Sequence, residues 1–267
     1  MDLYTVIGNP VEHSRSPWMQ ARFAELAGQH IKYDRTLAPL DGFGQTLTAL
    51  AAAGLKGANV TVPFKEEAFA LADGLTARAR QAGAVNTLIR RADGTWLGDN
   101  TDGVGLVADL LRLGADPKGK RVLVLGAGGA SRGILGPLLE RQPARLILAN
   151  RTFDKARRLA EQFPIQASSY AGLAGQHFDL VINATSSSLH DEVPAVPADA
   201  MMGASLAYDL VYRKGGTAFE HWARAQGAKA SADGLGMLVA QGAESFYQWR
   251  GVRPDWQQVL AEMKESL

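Results

Sequence analysis

The chain has 267 residues, and at roughly 150 residues per domain this length favours two domains. It is 46% apolar and 21% charged, which gives a substantial core and excludes disordered and fibrous classes. A net charge of +1 with no cysteine argues against nucleic-acid or anionic-membrane partners and excludes disulfides, thiolate metal sites and cysteine nucleophiles.

The opening run Met1–Ile7 has an acidic second residue and is too short for a signal peptide. No apolar run approaches the ~18 residues that span a bilayer, so a cytoplasmic protein is expected. Short β-branched runs then alternate with helical patterns, the signature of βαβ units and a largely parallel sheet. In chain order the pattern predicts strand 3–8, helix 17–27, strand 31–37, helix 41–53, strand 57–62, helix 64–72, strand 85–91 and helix 104–113. Pro17 and Pro63 sit where helices begin, positions that tolerate a missing N–H. Asp116-Pro117-Lys118-Gly119 breaks the composition and reads as a linker. Beyond it come strand 121–125, helix 130–141, strand 145–149, helix 153–162 and strand 178–183. Residues 184–204 lack periodicity and read as loop; amphipathic helices follow over 234–249 and 255–265.

The first chemical motif is Gly126-Ala127-Gly128-Gly129-Ala130-Ser131, between a strand and a helix. Such a loop brings backbone amides and a positive helix terminus against a pyrophosphate. Ser131 stands at the third glycine position of G-x-G-x-x-G, so the turn reads either as a dinucleotide loop or as a tight helix–sheet turn. Twenty-nine glycines, where average usage gives about 19, fit a fold with several such turns. An NAD-binding unit places an acid at the end of its second strand. Here that position holds Asn150-Arg151-Thr152, with Lys155 one turn later. Arginine's planar fork suits a 2′-phosphate, so the cofactor read here is NADP. Some of Arg151, Lys155, Arg157 and Arg158 must also form an ordinary solvated face.

In the first half, Asn59 and Thr61 alternate on one strand face, and Lys65 lies in the first helical turn at that strand's carboxyl end. Open α/β sheets bind ligands there, although a helix dipole disfavours a lysine at this position. Each also has a plainer reading: an edge face for the two polar residues, a pair with Glu66 or Glu67 for Lys65. Asp102, in Gly98-Asp99-Asn100-Thr101-Asp102-Gly103, reads as an Asx turn or helix cap. Counting Asp99 as ligand one of a calcium loop puts Leu110 at position twelve, where glutamate is needed. The five histidines form no metal-spaced cluster, so no metal is expected.

Several strings together resemble the shikimate dehydrogenases: His13-Ser14-Arg15-Ser16-Pro17, Gly57 through Lys65 (GANVTVPFK), Gly83-Ala84-Val85-Asn86-Thr87, Gly98 through Gly103, and Asp233 through Leu238 (DGLGML). The resemblance runs from Ile7 through the last helices. It implies a two-domain α/β fold, an α/β substrate domain and a Rossmann-type NADP domain separated by an active-site cleft. The boundaries it implies are 1–101 plus 238–267 for the substrate domain and 102–237 for the NADP domain. It implies reversible, NADP-dependent reduction of 3-dehydroshikimate to shikimate in chorismate and aromatic amino-acid biosynthesis. The partners expected are this small molecule alone, with no nucleic acid and no membrane, in a monomer or homodimer.

By the same resemblance Ser14 and Ser16 would bind the substrate carboxylate, helped by Tyr212; hydroxyls hold an anion without a permanent cation. Ser16, before Pro17, reads equally as a helix cap. Asn59, Thr61, Asn86 and Gln241 would hold the ring hydroxyls. Lys65 and Asp102 would contact the substrate as the catalytic pair, because hydride transfer to a ketone creates an alkoxide that needs a proton and a nearby positive charge. Gly126, Ala127, Gly128, Gly129, Ala130, Asn150, Arg151, Thr152, Lys155, Thr185, Leu210 and Gly234 would line the cofactor. Ser188 stands where the family usually has glycine, Ala77 where some members have an acid, and Leu210 where some have methionine. The alternatives are an NAD-using quinate/shikimate dehydrogenase, which Arg151 disfavours, and a non-catalytic NADP or shikimate sensor, which an intact Lys65 and Asp102 disfavour. A folate-linked dehydrogenase of similar architecture lacks support from the Ser14/Ser16 pattern.

Overall fold

Alternating apolar runs build two α/β units. The computed structural model describes residues 1–266. One unit comprises residues 1–105 and 239–266, the other Leu106–Leu238.

In the first unit β1 (Asp2–Gly8), α1 (Ser16–Leu26), β2 (Ile31–Leu37), α2 (Phe43–Ala52), β3 (Leu55–Val60) and α3 (Lys65–Leu71) follow in order. They are succeeded by β4 (Gly74–Leu75), α4 (Ala77–Ala82), β5 (Thr87–Arg90) and β6 (Trp96–Asp99). The sheet order is β2-β1-β3-β5-β6-β4. β1 pairs in parallel with β2 and β3, whereas β5 is antiparallel to both β3 and β6. Ile7, Phe43, Val60, Phe64 and Leu88 are buried in one core on this sheet.

α5 (Asp102–Arg112) leads into the second unit, with β7 (Arg121–Leu125), α6 (Gly129–Glu140), β8 (Arg145–Asn150), α7 (Phe153–Ala160) and β9 (Gln166–Ser169). Then come β10 (Leu180–Asn183), β11 (Leu206–Asp209), α8 (Ala218–Ala225) and β12 (Ser231–Ala232). Every neighbouring pair is parallel, in the order β12-β11-β10-β7-β8-β9. That is the doubly wound order of dinucleotide-binding folds, with β7 and β10 flanking the point where the winding reverses. Its strands are leucine- and valine-rich because both faces are covered, by Leu106, Ile134 and Leu159 on one side and Phe178, Met201 and Phe219 on the other. α9 (Leu235–Arg250) and α10 (Trp256–Glu265) end the described chain.

Several expectations need correction. The single strand over 85–91 is a hairpin: the chain reverses at Asp93-Gly94, where Gly94 has φ +85°, and β6 returns antiparallel to β5. α4 has only six residues, too few for a visible period. The region 184–204 is not wholly irregular, since Ser187–His190 and Ala198–Ala200 form 3₁₀ turns. β9, β11 and α8 were not anticipated. α8 nonetheless carries a legible signal, a capping box in which Thr217 accepts from Glu220 N and Glu220 reaches back to Thr217 N. Ser16 is not the cap of α1, because Arg15 holds that position and no side chain bonds there. Pro63 lies two residues ahead of α3 rather than within it. Among the described residues no helix is long and apolar enough to cross a membrane.

Candidate active site

β3 ends at Val60, and the turn after it delivers Lys65 to the first position of α3. β6 ends at Asp99, and Asn100 then organises the next turn by accepting from Asp102 N at 3.1 Å. The Asx turn therefore belongs to Asn100, which releases the Asp102 carboxylate from capping duty. Lys65 Nζ donates to Asp102 Oδ2 at 2.6 Å, with side chains 31% and 14% exposed. This pairing, not one with Glu66 or Glu67, offsets the unfavourable dipole at the start of α3.

The other Asp102 oxygen accepts from Asn86 Nδ2 at 2.8 Å. Asn86 Oδ1 accepts from Thr101 N at 2.9 Å and from Thr87 Oγ1 at 2.8 Å. Gln241, about two turns into α9 (Leu235–Arg250), places Oε1 3.2 Å from Thr101 Oγ1 and 3.4 Å from Asn86 Nδ2. Asn59 is buried, accepting from Tyr33 OH at 2.8 Å and donating to Ser245 Oγ at 3.0 Å. Burial pushes the Tyr33 phenol above its ordinary range, opposed by a hydrogen bond with Ser16, so it stays a donor at neutral pH. Thr61 lies one residue beyond β3, its N–H bonded to Ile7 O. Ser14 Oγ accepts from Ser16 N at 3.2 Å, and the Arg35 guanidinium holds Ser14 O at 3.0 and 2.7 Å. Lys65, Asp102, Asn59, Asn86 and Gln241 are thus joined in one polar network of the first unit. Tyr212 belongs to the second unit. Sequence reasoning missed Thr87, Thr101, Ser245 and Tyr33. The first two stand in the very strings that carried the family resemblance, and Ser245 follows Gln241 by one helical turn.

In the second unit the chain leaves β7 through Gly126, whose φ is +100°. A Cβ there would come within 3.0 Å of Ala184 O and Thr185 Cγ2, so only glycine lets the two turns approach. Gly128, Gly129 and Ala130 are exposed at the start of α6, and a Cβ on Gly128 or Gly129 would meet nothing within 4 Å. No side chain caps this helix, and its first N–H groups have no intrahelical acceptor. The loop thus has both room and free donors for a pyrophosphate. Ser131 is buried and donates to Gly126 O at 2.6 Å, closing the helix onto the strand where a third glycine would otherwise allow contact.

Asn150 ends β8 and bonds Thr152 O at 2.9 Å. Arg151, Thr152 and Lys155 beside it are exposed. Arg157 is already engaged, by Glu161 at 2.6 Å and Asp154 at 3.5 Å, whereas Arg151, Lys155 and Arg158 have no carboxylate partner among the described residues. At the end of β10, Thr185 bonds Asn183 Oδ1 at 2.7 Å. Gly234 passes so close to Leu210 that a Cβ would lie 2.1 Å from Leu210 O. Ser188, the departure from the family pattern, is buried and donates to Asp209 Oδ2 at 2.5 Å. Burial raises the Asp209 carboxyl above the usual range despite donors from Ser188, Thr217, Val211 N and Asn183. Ser188 therefore serves a buried acid. Among the described residues no group of three or more His, Asp or Glu is placed to hold a metal.

A doubly wound sheet with an open glycine loop, and a second α/β unit carrying a lysine–carboxylate pair, define a two-domain dinucleotide-dependent oxidoreductase. Residues 6–88 match the shikimate dehydrogenase substrate-binding domain, residues 110–194 the shikimate/quinate 5-dehydrogenase domain, and residues 234–266 the shikimate 5′-dehydrogenase C-terminal domain. The shikimate dehydrogenase (NADP(+)) of Nitrosospira multiformis is 54% identical over 100% of this chain and 98% of its own, and that of Cellvibrio japonicus is 50% identical with the same coverage. Among solved structures, shikimate 5-dehydrogenase from Thermus thermophilus in complex with NADP(H) and shikimate is 35% identical, covers 100% of both chains and superposes with a TM-score of 0.90. The chain belongs to the shikimate dehydrogenase family.

Proposed function

We propose that this protein interconverts 3-dehydroshikimate and shikimate with NADP(H), within chorismate and aromatic amino-acid biosynthesis. The observation that carries the reading is the 2.6 Å contact between Lys65 Nζ and Asp102 Oδ2. Bound NADPH supplies the hydride. Protonated Lys65 then places a positive charge and a proton beside the developing alkoxide, while Asp102 orients the lysine and accepts from the substrate hydroxyl. In the reverse direction Lys65 takes that proton back. Ser14 and Ser16, with Tyr212, hold the carboxylate; Asn59, Thr61, Asn86 and Gln241 hold the ring hydroxyls.

The domain reading assigns the substrate to the first unit, which carries Asp102, and NADP to the second. The glycine loop 126–130 takes the pyrophosphate, and Asn150, Arg151, Thr152 and Lys155 take the 2′-phosphate. Thr185, Leu210 and Gly234 line the remaining part of the cofactor. We place the enzyme in the cytoplasm as a monomer or homodimer, which sedimentation will decide. Initial rates of nicotinamide reduction with shikimate or quinate against NADP or NAD test the whole reading. Shikimate with NADP is expected to give the highest kcat/KM; faster turnover of quinate with NAD would overturn it.

A further inference from the structure

We propose that Thr87 is a positioning residue for the Lys65–Asp102 pair, acting through the side-chain amide of Asn86. The inference rests on the reading of Lys65 and Asp102 as the reacting pair. An asparagine amide presents an acceptor at one end and donors at the other, and only one orientation serves Asp102, because a carboxylate can only accept. Thr101 N–H, a backbone group that can only donate, lies 2.9 Å from Asn86 Oδ1 and requires oxygen at that end. Thr87 Oγ1, at 2.8 Å from the same oxygen, spends its single proton there. The opposite end, Nδ2, is thereby aimed at Asp102 Oδ1, 2.8 Å away, and Asp102 is left with Oδ2 for Lys65.

Proton bookkeeping extends the constraint. Having donated to Asn86, Thr87 is left as an acceptor, with Asn59 Nδ2 at 3.3 Å and Ser245 Oγ at 2.8 Å beside it; the single Ser245 proton is shared between Thr87 and Gln241 O, 3.1 Å away. Ser245 in turn accepts from Asn59 Nδ2 at 3.0 Å, whose oxygen is filled by Tyr33 OH. Thr87 and Ser245 are fully buried, so water cannot substitute for a lost hydroxyl without opening the core. One buried hydroxyl thus contacts both amides, reinforcing the orientation that Thr101 N–H sets at Asn86 and that Asn86 O sets at Asn59, and through Asn86 it supports the carboxylate that orients Lys65. Nothing requires Thr87 to touch substrate.

The test compares wild type with T87V, which keeps the shape and removes the hydroxyl, and T87S, which keeps the hydroxyl and removes the methyl group. T87A, which lacks the hydroxyl without the branched side chain, replaces T87V should that variant not fold. With shikimate and NADP, kcat of T87V is expected to fall about tenfold while the shikimate KM stays within about twofold. T87S is expected to recover kcat to within about twofold of wild type. A folded T87V or T87A with unchanged kcat would overturn the inference, as would a loss confined to KM. So would a T87S variant as impaired as T87V, since packing rather than the hydroxyl would then matter. A wild type inactive on shikimate would overturn the functional reading itself; an active wild type beside an unaffected T87V overturns this inference alone.

Discussion

The two units build their sites from opposite materials. Around Lys65 and Asp102 nearly every participant is a side chain, and each buried polar atom is bound to another: Asn59, Asn86, Thr87, Thr101 and Ser245 form a closed set. At the head of α6 the working groups are backbone amides, and the residues presenting them, Gly128, Gly129 and Ala130, contribute almost no side chain. On the proposed reading the first site is therefore expected to respond to functional groups, in kcat. The second is expected to respond to backbone shape and nearby charge, in cofactor affinity.

The sharpest way to break that contrast is at Lys65. Lys65→Ala is expected to lower kcat by on the order of 10³ while leaving shikimate affinity within about threefold, because proton donation and alkoxide stabilisation are lost together. Steady-state rates with shikimate binding by calorimetry decide it; a kcat equal to wild type would sink the role. Asp102→Asn comes next, at roughly 10² in kcat. Its amide cannot accept from both Lys65 and Asn86, so one of the two contacts becomes donor against donor.

A purely structural acid in the same unit provides the control. Asp99 is fully buried, and burial alone would raise its carboxyl; the forked contacts of Arg78 at 2.5 and 2.7 Å, with Thr76 and Asn100 N–H, hold it instead below the usual range. Because the folded-state value is depressed, this stabilisation is complete above the unfolded value near 3.9 and is lost as pH falls below that through the folded value. Asp99→Asn is expected to cost about 2 kcal/mol at neutral pH by removing the forked partner of Arg78, which keeps only Glu244 at 3.1 Å. Denaturant midpoints taken from about pH 6 down to about pH 3 should also lose part of their acid-side slope. kcat per folded molecule should stay near wild type, unlike in Asp102→Asn.

The same contrast governs what could be read from residues alone. β1 through α3 and β7 through α7 were legible because their apolar periods are long and turn residues bound them. β11 and α8 were not, since Leu206–Asp209 is only four residues long and a capping box is a weak signal without a period behind it. At the site, Lys65 and Asn59 drew attention as polar residues where core was expected. The pairing of Lys65 with Asp102 spans 37 positions, and no local pattern encodes a contact that a sheet and two turns must bring together. Thr87 escaped notice because one threonine in a strand is an ordinary β-former.

The smallest expected effects separate two of the four cations of residues 151–158, which composition alone cannot rank. Arg157 is committed to Glu161 and Asp154 on an exposed helix face. Removing it should leave cofactor kinetics unchanged and cost at most about 0.5 kcal/mol of stability. Arg151 follows the end of β8 and has no carboxylate partner among the described residues, so its guanidinium is available to a dianion without first breaking an ion pair. Arg151→Ala should raise KM for NADP about tenfold, or about 1.4 kcal/mol, with KM for NAD nearly unmoved, because NAD lacks the phosphate that the arginine would hold. Paired titrations of the two variants with both cofactors check this. Equal losses for NADP and NAD in Arg151→Ala would mean the arginine supports the strand end rather than the phosphate. A selective loss in Arg157→Ala would mean that the ion pair with Glu161 yields when the cofactor arrives.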